Sequence, residues 1–366
     1  MKAVQSPVIT RVEPAELAGG RYVVVDVRSA SEFGKGSVPG SVNLPLLDDA
    51  ARSLIGTTYS REGSKAARLL AMDLVSPRLP SYLRSIVDRI PKGCRPAVLC
   101  WRGGERSRNV VLLMALIGVH AVQVRGGYRA HRRWVCEELE TWESPCPVVT
   151  LHGHTGAGKS ELLRTLRTLA FSLDGPRPWV VDLEELALHR GSLLGGLNQP
   201  GQRTQRDFEA LLWEKLRDPQ GDYLVLEGEG KRIGRLSVPP SVAAAVSSGL
   251  PIQVTASVEE RTARILGEYA PHSWTDAERQ AFRESLDLIG RGMCTTSLTG
   301  LRTAFEDGRF AEVVNTLLVE YYDPLYQKSS VEGRDFVLTV RMGHNPAADA
   351  RRFAARVASI LVGSDA

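Results

Sequence analysis

Apolar and polar positions along this chain fall into short β-branched runs separated by longer stretches with helical spacing. Tyr22-Val23-Val24-Val25-Asp26 and Pro96-Ala97-Val98-Leu99 are nearly continuous apolar runs, the pattern of strands buried on both faces of a parallel sheet. Asn109 to Leu116 is apolar at helical length, and Gly118 closes it. A second series starts at Val148-Val149-Thr150-Leu151-His152 and continues through Trp179-Val180-Val181-Asp182, Tyr223-Leu224-Val225-Leu226-Glu227 and Ile252-Gln253-Val254-Thr255-Ala256. Between its first two members, Glu161 to Phe171 puts Leu162, Leu163, Leu166 and Leu169 on one side of a helix. Alternating strands and helices predict parallel α/β sheets, whose ligands sit beyond the C-terminal ends of the strands. From about residue 260 the pattern turns helical, over Trp274–Leu288, Phe305–Tyr321 and Ala347–Leu361. An aromatic turn, Tyr321-Tyr322-Asp323-Pro324-Leu325-Tyr326, interrupts it, with rings better suited to a core than to stacking on bases.

Thr141 to Pro147, with prolines at 145 and 147, reads as a linker, so two domains are expected, over residues 1–140 and 148–366. No stretch approaches the roughly 18 consecutive apolar residues of a membrane span. The first residues lack the apolar core of a signal peptide, and a cytoplasmic protein without a membrane partner is expected. Five cysteines with no C-x-x-C pair point to free thiols in a reducing compartment, and the seven histidines show no zinc spacing. The net charge of +4 is mild, but basic residues cluster at Arg102, Arg106 and Arg108, from Arg125 to Arg133, and at Lys231, Arg232 and Arg235. Each cluster lies beside a site candidate, which favours a polyanionic substrate; Arg129, Arg132, Arg133 and Arg232 are candidates for contacts to its charged groups or for pairing with nearby acids.

Cys100-Trp101-Arg102-Gly103-Gly104-Glu105-Arg106-Ser107 places a cysteine between a strand end and a helix start. A helix N-terminus and nearby arginines favour thiolate over thiol. Gly103 and Gly104 let backbone N–H groups converge on one anion, and Arg102 and Arg106 add charge-assisted donors. Such a loop, completed by Trp101 and Ser107, can hold a tetrahedral oxyanion over a nucleophile. Cysteine phosphatases share the C-x5-R spacing, but Leu99 stands where they usually carry histidine.

Gly153-His154-Thr155-Gly156-Ala157-Gly158-Lys159-Ser160 matches the phosphate-binding loop pattern, between a strand and a helix. Gly153, Thr155, Gly156 and Gly158 present backbone to phosphate, Lys159 reaches the phosphate oxygens, and the Ser160 hydroxyl can ligate Mg²⁺. Asp182 and Glu227 each end a strand, where such proteins keep the acid that holds Mg²⁺ or its water; neither is a clean Walker B, and the metal position is expected near Ser160 and Asp182.

Asp26-Val27-Arg28-Ser29, Glu32-Phe33, Gly36, Pro39 to Pro45 and Gly126-Gly127-Tyr128 resemble a rhodanese domain, over about residues 8–137, with Ser37 in place of the usual histidine and an insertion from Ala50 to Leu83. A rhodanese-like domain followed by a P-loop NTPase-like α/β domain with a helical C-terminal part is the expected architecture. The pairing is similar to the tRNA 2-selenouridine synthase family. His189-Arg190-Gly191-Ser192, Glu227-Gly228-Glu229-Gly230 with Arg232-Ile233-Gly234, and Tyr321-Tyr322-Asp323-Pro324 carry the similarity beyond the two loops. Glu184-Glu185 and Gly228 depart slightly from it.

The resemblance implies exchange of sulfur for selenium in 2-thiouridine at the wobble position of the lysine, glutamate and glutamine tRNAs. It makes tRNA the polyanionic substrate, with Arg129, Arg132, Arg133 and Arg232 as candidate tRNA contacts. It implies selenophosphate as donor, with a selenophosphate-producing enzyme as supplier, and an S-geranyl intermediate made from geranyl diphosphate. The residues alone leave three other readings: a sulfurtransferase fused to a kinase or ATPase, a persulfide carrier with a nucleotide-sensing loop, and a phosphatase.

Overall fold

A computed structural model describes residues 9–363, apart from residues 92, 191–200, 229, 291–292 and 328–333. The chain divides into two compact units, residues 1–139 with 204–214, and residues 140–203 with 215–366.

The first unit contains β1 (Arg11–Val12), β2 (Tyr22–Asp26), α1 (Ala30–Gly34), β3 (Val42–Asn43), α2 (Asp49–Glu62), α3 (Ser64–Val75), α4 (Leu79–Arg89), β4 (Arg95–Leu99), α5 (Glu105–Leu116), β5 (Val122–Val124) and α6 (Gly127–Glu140). Its strands form one parallel sheet in the order β1-β5-β4-β2-β3. Both faces are apolar: Val25, Val98 and Val110 pack on one side, and Val24, Ala97, Leu99 and Tyr128 on the other. The stretch from Ala50 to Leu83 is helical, forming α2, α3 and the start of α4.

The second unit contains β6 (Val148–His152), α7 (Lys159–Leu169), β7 (Pro178–Val181) and α8 (Leu183–Ala187). After these comes α9 (Gln205–Leu216), whose residues to 214 belong to the first unit although the apolar pattern runs the second domain on from residue 148. The attachment is specific: Asp207 accepts from the Ser37 N–H at 2.9 Å, Glu209 pairs with Arg132, and Trp213 meets Trp134 edge-on at 5.9 Å. The second unit continues with β8 (Tyr223–Glu227), a hairpin of β9 (Arg232–Ile233) and β10 (Leu236–Ser237), α10 (Pro240–Ser248), β11 (Leu250–Thr255) and α11 (Val258–Tyr269). It closes with α12 (Asp276–Ile289), α13 (Thr295–Glu306), α14 (Phe310–Leu317), α15 (Asp323–Tyr326), β12 (Leu338–Arg341) and α16 (Pro346–Gly363).

Its parallel sheet has the order β12-β11-β6-β8-β7. Leu162, Leu163 and Leu166 of α7 are buried against Val149, Leu151 and Phe353. Two expectations need correction. The last third is not wholly helical, because Leu338–Arg341 joins the edge of the sheet with alternating burial. The helix expected over Phe305–Tyr321 breaks after Glu306, restarts at Phe310 and passes through a π-helical turn, Leu318–Tyr322, into α15, so the aromatic segment is helical rather than a turn.

Candidate active site

The first unit builds a cysteine loop on a buried ionic scaffold. Asp26 and Arg28 are both fully buried and doubly bonded, with Arg28 Nη2 on Asp26 Oδ2 at 2.6 Å and on the Gly36 carbonyl at 2.8 Å. The Arg28 guanidinium lies 3.9 Å over the Tyr128 ring, and the Tyr128 N–H donates to the Cys100 carbonyl at 2.9 Å. The rhodanese-like residues therefore hold the loop from behind. Gly127, at φ +62°, shows why a side chain is excluded there: a Cβ would lie 2.1 Å from the Cys100 carbonyl oxygen.

Cys100 follows β4 and is 3% exposed, with Sγ 3.2 Å from the buried Ser107 hydroxyl. Gly104 caps α5, so the first N–H groups of the helix face the loop. Gln123 of β5 is fully buried and ties the loop together, donating to the Gly103 carbonyl at 2.8 Å, the Gly104 carbonyl at 3.1 Å and Ser107 Oγ at 2.9 Å. Trp101 is half-buried against Tyr128, at 5.8 Å between rings. Arg102 is exposed. Arg106 is engaged elsewhere: Nη1 and Nη2 donate to the Glu32 carboxylate at 2.6 and 3.2 Å. Burial works against charge on Glu32, but the Arg106 hydrogen bonds and charge outweigh it and hold the carboxyl below its usual range. Among the described residues Arg102 makes no ion pair at this loop, while Arg106 fixes the α5 start to α1.

The second unit carries the phosphate loop between β6 and α7, with Lys159 at the first position of the helix. Lys159 Nζ donates to the Gly153 carbonyl at 2.8 Å. Gly158, at φ +100°, supplies the left-handed turn into the helix. The register pairing Leu151 with Glu227 brings the end of β8 beside the loop. There Ser160 Oγ donates to the fully buried Glu227 carboxylate at 3.1 Å, and the Glu184 N–H reaches its other oxygen at 3.4 Å. Asp182 lines the same cleft, but one of its oxygens accepts from the Glu185 N–H at 2.8 Å as the cap of α8, and burial pushes its carboxyl up. Ser160 with Glu227 fits Mg²⁺, which takes a hydroxyl and a carboxylate readily when phosphates and water complete its octahedron. Among the described residues no group of three or more His, Cys, Asp or Glu could hold a metal by itself.

Two residues that sequence reasoning missed, Arg261 and Arg264, brace this loop. Arg261 of α11 is buried; its Nε donates to the Thr155 carbonyl at 2.8 Å, and its Nη1 and Nη2 to Asp323 at 2.9 and 2.5 Å. Asp323 also meets His154 Nδ1 at 2.9 Å. Arg264, one turn on, reaches the Gly156 carbonyl at 3.2 Å and Glu161 at 3.0 Å. The cleft in front has a volume of about 690 Å³ and is lined by the loop, Asp182, Glu184, Arg190, Arg264 and Tyr326 among others.

Residues 146–346 match the family model described as the tRNA 2-selenouridine synthase AAA domain, and residues 14–133 match the rhodanese-like domain. The chain is 34% identical to the tRNA 2-selenouridine synthase of Nitrosomonas eutropha, over 72% of this chain and 67% of that protein. It is 33% identical to that of Hahella chejuensis, over 83% and 84%. The chain belongs to the tRNA 2-selenouridine synthase family.

Of the segments singled out for this family, Asp323 is the brace just described, and the Tyr321 and Tyr322 rings meet at 5.1 Å beside the helical core. Arg190 lies 4.4 Å over the Tyr269 ring at the cleft; Gly191, Ser192 and Glu229 fall outside the described residues. Among the candidate RNA contacts, Arg129, Arg133 and Arg232 are exposed, while Arg132 is taken by Glu209. No helix among the described residues is long and apolar enough to cross a membrane.

Proposed function

We propose that this protein replaces the sulfur of wobble 2-thiouridine in tRNA by selenium, in two steps served by its two anion-binding loops. The observation that carries the reading is the phosphate loop with Ser160 bonded to Glu227 at the head of a large cleft, in a chain that also bears a braced cysteine loop. A diphosphate held by the loop's N–H groups and Lys159 gains charge as it departs, and fixed donors stabilise that charge without reorganising. Bound Mg²⁺ at Ser160 and Glu227 would supply further charge neutralisation.

The first step is alkylation. The thiocarbonyl sulfur attacks C1 of geranyl diphosphate, the C–O bond breaks, and pyrophosphate leaves. Alkylation turns a poor leaving group into a good one and makes C2 of the base electrophilic. In the second step the selenium of selenophosphate attacks C2 and geranyl thiol departs; water then cleaves the P–Se bond and releases phosphate. Arg102 and the α5 N–H groups suit the donor's oxygens, and Cys100, at the floor of the loop, suits its selenium end. Glutamate, glutamine and lysine tRNAs are the expected substrates, and an enzyme making selenophosphate supplies the donor.

The test is nucleoside mass spectrometry on thiolated tRNA incubated with the protein and both donors. The reading expects 2-selenouridine only when both are present, and the S-geranyl nucleoside when selenophosphate is left out. Selenation at full rate without geranyl diphosphate would refute the two-step route.

A further inference from the structure

Two of the family segments, His189-Arg190 and Arg232-Ile233-Gly234, belong to neither loop, and the fold brings them together beside the phosphate cleft. Ile233 of β9 pairs with Leu236 of β10, which leaves Gly234-Arg235 as a two-residue turn. Gly234, at φ +55°, takes the first place of that turn, where a positive φ is needed. A Cβ there would lie 2.8 Å from His189 Nε2, so the turn packs directly on the residue before Arg190. Gln202 pins the turn with both ends of its amide: Nε2 donates to the Ile233 carbonyl at 2.6 Å, and Oε1 accepts from the Arg235 N–H at 3.0 Å. Ile233 and Leu236 are buried, which leaves Lys231, Arg232 and Arg235 on the outside. All three are exposed, and among the described residues no carboxylate pairs with them. The hairpin follows Gly228 and Gly230, which line the cleft. Arg190 and Tyr269 line it too, with the Arg190 guanidinium 4.4 Å over the ring and its Nη2 donating to the Glu268 carbonyl at 3.3 Å.

A guanidinium held over a ring on one side offers a planar face on the other, which suits a nucleobase. A row of cations next to a stacking face is the combination that binds single-stranded nucleic acid. An acidic peptide would use the cations and leave the planar face idle. We propose that the β9–β10 hairpin and the Arg190–Tyr269 pair receive the anticodon loop of the tRNA: Lys231, Arg232 and Arg235 take backbone phosphates, and the wobble base stacks on Arg190. The inference rests on the reading that this base reacts in the phosphate cleft, and deepens it by assigning the RNA contacts. Arg190 is a positioning residue in this scheme, and the pinned turn fixes where the cations stand relative to it.

Equilibrium binding of thiolated tRNA to the full chain, over a series of KCl concentrations, tests the hairpin. Lys231→Gln, Arg232→Gln and Arg235→Gln combined are expected to flatten the slope of log affinity against log salt by about 2, at about 0.7 for each phosphate contact to a single strand. Affinity for inorganic pyrophosphate stays unchanged in that variant. Arg190→Lys keeps the charge and removes the planar face. It is expected to weaken binding about tenfold for tRNA carrying the wobble base, and not at all for the same tRNA made abasic at that position. A merely structural role for Arg190 would weaken both RNAs alike. A salt slope unchanged by the triple substitution overturns the proposal, and so does an Arg190→Lys deficit of equal size on the abasic tRNA. Formation of the S-geranyl nucleoside by the native protein is scored in parallel. Its absence, with the salt and abasic results as expected, overturns the reading of the cleft's chemistry and leaves the RNA surface standing.

Discussion

Replacing Asp323 by alanine should loosen the phosphate loop from behind. Arg261 is 4% exposed, and its Nε bond to the Thr155 carbonyl is aligned by the two charge-assisted bonds it makes to Asp323. Removing one partner of a buried pair costs about 3–5 kcal/mol, because the remaining charge stays desolvated. The Asp323 side chain keeps 24% of its surface in water, so solvent reaches the gap and the expected loss is about 2 kcal/mol. His154 loses its Nδ1 partner in the same change. Asp323→Asn keeps the shape and one acceptor, and should lose about half as much. Urea unfolding at pH 7 reads the stability, and titration with inorganic pyrophosphate reads the loop, where roughly a tenfold loss of affinity is expected. A change under about 0.5 kcal/mol together with unaltered pyrophosphate affinity would refute the bracing argument.

Gln123→Leu removes three bonds that fix the cysteine loop; a loss of about 1–3 kcal/mol is expected, with selenation reduced and geranylation retained by nucleoside mass spectrometry. Glu227→Gln keeps a partner for Ser160 but removes the charge beside it, and geranyl transfer should fall about tenfold to a hundredfold with a raised Mg²⁺ requirement; an unchanged Mg²⁺ titration would take Glu227 out of the metal site. Burial, helped by neighbouring cations, holds His131 and His152 down to about 4. Both stay neutral when folded while the unfolded chain takes up protons near pH 6.5, so their stabilisation is complete above that pH and is lost as pH falls toward 4. Each should cost about 2 kcal/mol between pH 7 and 5, one in each unit, and urea midpoints that stay flat over that range would contradict it.

Both loops were legible because each is a contiguous run of residues whose types dictate local backbone: glycines for the turns, a strand before and a helix after. Strands 22–26, 148–152 and 223–227 were legible for the same reason, being short apolar runs buried on both faces. What escaped is held by contacts distant in sequence. Arg261 reads as one more charge on an amphipathic helix until the fold brings it to Thr155 and Asp323. Helix α9 carries its attachment to the first unit in Asp207, Glu209 and Trp213, none of which has a local signature. Two signals were available. Gln123 is a lone amide between Val122 and Val124, and a polar side chain inside a buried strand must bond something. Leu338-Thr339-Val340-Arg341 alternates as a half-exposed edge strand does, but helices on both sides obscured its period.

The central claim is that the phosphate loop serves alkylation and the cysteine loop serves selenation of one base. Thiolated tRNA geranylated beforehand, given selenophosphate and either Lys159→Ala or Cys100→Ala protein, tests it directly. The Lys159→Ala protein should yield 2-selenouridine at near the native rate, and the Cys100→Ala protein should leave the S-geranyl nucleoside untouched. Selenation by Cys100→Ala, or none by a folded Lys159→Ala protein, would contradict that division.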